Sequence, residues 1–129
     1  LIDTPFLYFV MRKYEEGKVL AGSSAGAMIM GSHLVKNADE VFELGQDPIW
    51  SKGFALIPYS ILPHFDLVSD KINSFLDTTE QEYKNNILGI EENTAVILND
   101  EKEGTISGLG KVILIQNGVN NSFDESLTL

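Results

Sequence analysis

Ser24 is the central residue of Gly22-Ser23-Ser24-Ala25-Gly26. This Gly-x-Ser-x-Gly pattern, in a sharp strand-to-helix turn, leaves the serine hydroxyl exposed as a nucleophile. Such a turn needs small residues because its backbone passes close to the neighbouring chain and adopts unusual dihedral angles, and Gly22 and Gly26 supply them. At the start of the helix that follows, the Ala25 N–H would point at negative charge developing on a substrate carbonyl, with the helix dipole adding to it. The plain alternative is a glycine-rich turn that only packs or holds a phosphate.

A serine hydroxyl attacks a carbonyl only when a base takes its proton, and the usual base is a histidine oriented by a carboxylate. The chain has two histidines. If the segment after Ser24 is helical, His33 lies roughly 13 Å along it, at the far end from the turn. His64 follows a strand-like segment and Pro63, at the kind of strand end where parallel-sheet active sites gather. Without Ser24 it would read as a partly buried structural histidine beside Phe65. The orienting acid is expected at another strand end, and Glu91-Glu92 follow the apolar run Ile87 to Ile90. Adjacent residues of extended chain face opposite ways, so one of the two would reach His64 and the other solvent. As a pair of solvated turn carboxylates they would have no such role. Asp66 follows His64 too closely to orient it easily from the opposite side, and Asp70 better suits a helix start.

The elements that must position these groups follow from patterning. Thr4-Pro5 with FLYFVMRKYEEG predicts a helix capped by Thr4 and stopped at Gly17. Lys18 to Ala21 predicts a buried interior strand of a parallel sheet, and AGAMIMG a helix after the turn. Ser32 to Lys52 is polar and aperiodic, an exposed loop with at most short elements. Gly53 to Pro58 and Ser60 to Pro63 predict two short strands, and Ser69 to Asn85 an amphipathic helix that Ser69 can cap. Strands are expected at Ile87 to Ile90, Thr94 to Leu98 and Lys111 to Ile115, with turns at Asn99-Asp100, Glu103-Gly104, Gly108 to Gly110 and Asn117-Gly118.

The chain of 129 residues has nine basic and nineteen acidic side chains, a net charge of −10, which disfavours nucleic acid and anionic membrane as partners. It has no cysteine, which excludes disulfides, thiolate metal sites and a cysteine nucleophile. Two distant histidines among scattered acids lack the spacing of a metal site. No apolar stretch approaches the roughly 20 residues that span a bilayer. Asp3 and Thr4-Pro5 replace the basic start and apolar run of a secretory leader, so a cytoplasmic location is expected.

The order Ser24, His64, Glu92, with GSSAGAMIMG, LPHFD and GIEENTA around them, differs from the serine, acid, histidine order of ordinary α/β-hydrolases. It resembles the serine peptidase family of aspartyl dipeptidase (peptidase E) and cyanophycinase, from about Gly17 to Gly118. Matched residue by residue, the resemblance puts the nucleophile on Ser24, the base on His64, the orienting carboxylate on Glu92 and one oxyanion-hole donor on Ala25. It implies an α/β fold: a mainly parallel sheet flanked by helices, in a three-layer sandwich of the class I glutamine amidotransferase type. Residues 1–129 would be the C-terminal portion of a single hydrolytic domain, because family members carry strands and a second oxyanion donor ahead of the elbow. A longer product is therefore expected. The implied function is hydrolysis of small peptides or isopeptides with no cofactor, with a homodimer left open. A noncatalytic or amidotransferase-like binding module is the alternative.

Arg12 is the only arginine, and Lys71 the only cation near the places where cyanophycin-degrading members carry arginines. Specificity for cyanophycin or for aspartyl dipeptides is thus unsupported.

Overall fold

In the computed structural model, which describes residues 4–84 and 86–129, the Thr4 hydroxyl accepts the Leu7 N–H at 3.2 Å and caps α1 (Pro5–Glu15). Pro5 occupies the first turn, and Gly17, at φ 86°, ends the helix in the left-handed region that glycine tolerates. The start considered for a leader, Leu1 to Asp3, lies outside the described residues.

Lys18 to Ala21 does not form the expected strand, and Val19 is 95% exposed. A run of apolar residues becomes a strand only where a neighbour completes its ladder, and none among the described residues pairs with it. The helix after the turn is also shorter than expected. α2 (Ala25–Met28) is a single turn, and the carbonyls of Ile29, Met30 and Gly31 accept the N–H groups of Phe54, Leu56 and Ala55. These bonds account for two corrections together: α2 stops early, and Gly53 to Pro58 spends its donors on the helix end instead of a strand ladder.

The segment read as a loop contains β1 (His33–Val35), α3 (Ala38–Leu44) and β2 (Trp50–Lys52), with β1 and β2 antiparallel. Then follow β3 (Ser60–Pro63), α4 (Phe65–Val68), a 3-10 turn (Ser69–Lys71), α5 (Ile72–Asp77) and α6 (Gln81–Lys84). The single helix expected from Ser69 is thus broken. The hydroxyls of Thr78 and Thr79 donate back to the Phe75 carbonyl at 3.1 and 2.7 Å and close α5. Ser69 caps nothing there, its hydroxyl donating to the Asp66 carbonyl, and Asn85 lies outside the described residues.

The remaining strands are β4 (Ile87–Ile90), β5 (Thr94–Leu98), β6 (Glu103–Gly108), β7 (Val112–Gln116), β8 (Val119–Phe123) and β9 (Ser126–Thr128). β3-β4-β7-β8 form one sheet and β5-β6-β9 another. Among the described residues only the β3–β4 pairing is parallel, which corrects the mainly parallel sheet. Hairpins are the reason: Asn117 and Gly118, at φ 51° and 78°, turn β7 directly into β8. The turn expected at Glu103-Gly104 instead opens β6, because the Asn99 side chain accepts the Glu101 and Glu103 N–H groups and closes the loop earlier.

Strand alternation buries both faces of the larger sheet. Leu62, Ile87, Ile113 and Ile115 pack with Val41, Phe65 and Phe75 of the helical side, whereas Ile61, Leu88, Val112 and Leu114 pack with Ala27, Ile106 and Leu127. The fold is mixed α/β, with helices on one side, the small sheet on the other, and α2 contributing Met28 to the first core and Ala27 to the second.

Candidate active site

β3 and β4 run parallel with Pro63 opposite Ile90, so the chain segments that carry His64 and Glu91-Glu92 leave the sheet side by side. This register brings together residues 28 positions apart. His64 adopts a left-handed conformation, φ 57° and ψ 35°, and Phe65 then buries its ring over Gly89 of β4. A Cβ on Gly89 would lie 2.4 Å from that ring. Glycine in mid-strand thus makes room for the residue that anchors the His64 turn.

Ser24 has φ 52° and ψ −121°, outside helix and strand, immediately before α2. Six non-glycine residues among those described have positive φ, and two of them, Ser24 and His64, carry the facing side chains of the site, where such backbone is costly for a residue other than glycine or asparagine. Gly22 is required by crowding, since a Cβ there would sit 2.3 Å from the Gly26 carbonyl oxygen. Gly26 is not: an added Cβ meets nothing within 4 Å among the described residues.

The Ser24 hydroxyl lies 3.1 Å from His64 Nε2, and His64 Nδ1 is in contact with Glu92 Oε1. An ionised carboxylate only accepts, so Nδ1 carries the proton and Nε2 offers its lone pair to Ser24. His64 and Glu92 are partly open to solvent and Ser24 is exposed, which leaves the serine approachable. The Ala25 N–H donates to no acceptor among the described residues. Because α2 is one turn long, its dipole adds little to that single donor.

Glu91 turns the other way, but to protein rather than to solvent as expected: its Oε2 accepts the Lys111 N–H at 2.7 Å. His33 opens β1 and sets its ring against Tyr83 at 5.1 Å, away from Ser24, so the helical path assumed for it does not exist. Asp70 falls within the 3-10 turn. Lys71 donates to the Phe42 carbonyl and Arg12 lies 3.8 Å from Glu16 on exposed α1.

Two contributors escaped sequence reasoning. Asp66 Oδ1 accepts the Glu92 N–H at 2.8 Å, and the Thr94 hydroxyl donates to the Glu92 carbonyl at 3.0 Å while accepting from the Gly110 N–H. A carboxylate two residues past a histidine was the available signal for Asp66, whereas nothing in the spacing marked Thr94. A cavity of about 530 Å³ borders Ser24, His64 and Glu92, with Lys102 in its otherwise largely apolar wall.

Residues 3–106 match the model of Peptidase family S51. The whole chain superposes on the crystal structure of a peptidase from an acI-B1 Actinobacterium, with a TM-score of 0.75 and 26% identity, and covers 53% of that chain. The chain thus spans about half the length of the solved structure it matches. No curated protein sequence matches it. With a family match over most of its length, the chain belongs to Peptidase family S51.

Proposed function

We propose that the protein is a serine peptidase in which Ser24, His64 and Glu92 form the catalytic triad and hydrolyse small peptides or isopeptides through an acyl-enzyme. The observation that carries this is the unbroken line from the Ser24 hydroxyl through both nitrogens of His64 to Glu92. Family membership adds its weight.

In the first step the Ser24 oxygen bonds to the carbonyl carbon of the scissile amide, and its proton passes to His64 Nε2. Glu92 stabilises the imidazolium that forms. Negative charge moves to the carbonyl oxygen, where the Ala25 N–H is the donor named from this chain. Collapse of the adduct breaks the C–N bond, and His64 gives its proton to the departing amine, leaving the acyl group on Ser24. Water then attacks the ester, losing a proton to His64 and releasing the acid, and the proton returns to Ser24.

The sheet with helices on one side and the small sheet on the other is compatible with the three-layer sandwich proposed for the complete domain. The test of function is labelling of the full natural protein by a serine-directed fluorophosphonate. Labelling should map to Ser24 and vanish, with peptide hydrolysis, in Ser24→Ala. Label that persists in this variant moves the nucleophile elsewhere.

A further inference from the structure

We infer that Asp66 is a positioning residue for the orienting acid, locking the Glu92 backbone so that its carboxylate stays on His64; this rests on the triad proposed above. Asp66 stands two residues past His64, in the first turn of α4, yet the carboxylate that hydrogen-bonds the imidazole belongs to Glu92. It reaches across to the turn after β4, where Oδ1 accepts the Glu92 N–H at 2.8 Å.

The Glu92 backbone is therefore held from both sides. Asp66 takes its N–H, and Thr94 donates to its carbonyl while itself fixed by the Gly110 N–H. The neighbouring Asn93, at φ 54°, turns the chain in the left-handed region that asparagine tolerates, and its carbonyl accepts the Leu109 N–H at 3.0 Å, so Asp66 is the side chain that ties this turn to α4. The carboxylate of Glu92 is more than a third exposed, so packing alone does not immobilise it. A bond from the segment carrying the base to the backbone carrying the acid supplies that restraint. It keeps the two triad members at one separation by resisting movement of α4 relative to the β4–β5 turn.

The experiment compares Asp66→Ala and Asp66→Asn with wild type in the full natural protein, reading kcat and KM for peptide hydrolysis and the rate of fluorophosphonate labelling at Ser24. Asp66→Ala should lower kcat and labelling by about tenfold or more, the scale of lost support to an active-site ligand, with KM little changed. Asp66→Asn keeps an acceptor oxygen at the same place and should restore both to within about threefold. Should Asp66→Ala fail to fold, Asp66→Leu keeps the side-chain volume without an acceptor and makes the same comparison. Equal losses in the Asn and Ala variants would mean that charge, not the backbone bond, matters, and would overturn the inference. So would a folded Ala or Leu variant with wild-type kcat. Failure of the triad itself reads differently, as a wild-type protein whose Ser24 takes no label.

Discussion

Glu91 and Lys111 exchange two hydrogen bonds, the Glu91 side chain accepting the Lys111 N–H at 2.7 Å and the Glu91 N–H donating to the Lys111 carbonyl at 3.1 Å. The pair extends the β4–β7 ladder past its last strand residues and commits Glu91 to the face away from His64. Glu91→Ala should therefore cost stability, about 1 kcal/mol for an exposed charge-assisted bond, and leave Ser24 labelling within about threefold of wild type. Urea unfolding and labelling rates measured on the same samples check both. A stable Glu91→Ala protein that no longer labels would reverse the assignment of the two glutamates.

The other half of that comparison concerns the line from Ser24 to Glu92. His64→Ala leaves the serine with its proton and should slow labelling and hydrolysis by at least about 10³-fold. Glu92→Gln should cost less, because the amide can still hold the ring but cannot stabilise its positive form. Stopped assays of both variants against wild type give the order directly. A larger loss for Glu92→Gln than for His64→Ala would contradict the roles proposed for them.

The residues that meet at the candidate site are more legible in the sequence than the elements that carry them. Ser24 and His64 stand out because few residue types can do their work and only two histidines were available. The β3 and β4 strands were legible for a related reason: short apolar runs bounded by proline, glycine or acids leave little choice. Lys18 to Ala21 has the same local pattern, yet pairing is a property of the neighbour, which a local pattern does not contain. Gly53 to Pro58 has the local pattern of a strand, yet its partners are the carbonyls at the end of α2, twenty or more residues back. Asp66 escaped for the converse reason. Its nearness to His64 in sequence hid a partner on a different strand end.

Gly89 offers a test of how the His64 turn is anchored. A methyl group there would meet the Phe65 ring at 2.4 Å, well inside contact distance, so the buried ring next to His64 must shift. Gly89→Ala should lower labelling of Ser24 and destabilise the fold by about 1–3 kcal/mol. The smaller side chain of Phe65→Leu, combined with Gly89→Ala, should recover part of both losses, a coupling that a double-mutant cycle measures. Strict additivity of the two substitutions would show that the contact does not set the position of His64.

Trp50 is the only tryptophan and stacks on Tyr83 at 4.6 Å with 11° between the rings, which makes it a reporter of the Tyr83 phenol. Burial raises the Tyr83 phenol above its ordinary 10.0, and the negative charges of Glu82 and Glu80, with a hydrogen bond to Glu82, raise it further. The folded state thus favours the neutral phenol. Its contribution to stability is complete below the unfolded value and is lost as pH rises through the folded one. Trp50 fluorescence should therefore change with a midpoint above pH 10, later than the ordinary phenol, as the new charge disrupts the stack. Tyr83→Phe, which keeps the stacked ring but removes the phenol, should abolish this transition. An unchanged fluorescence titration in that variant would assign the transition to another group and leave the stacked pair without a pH response.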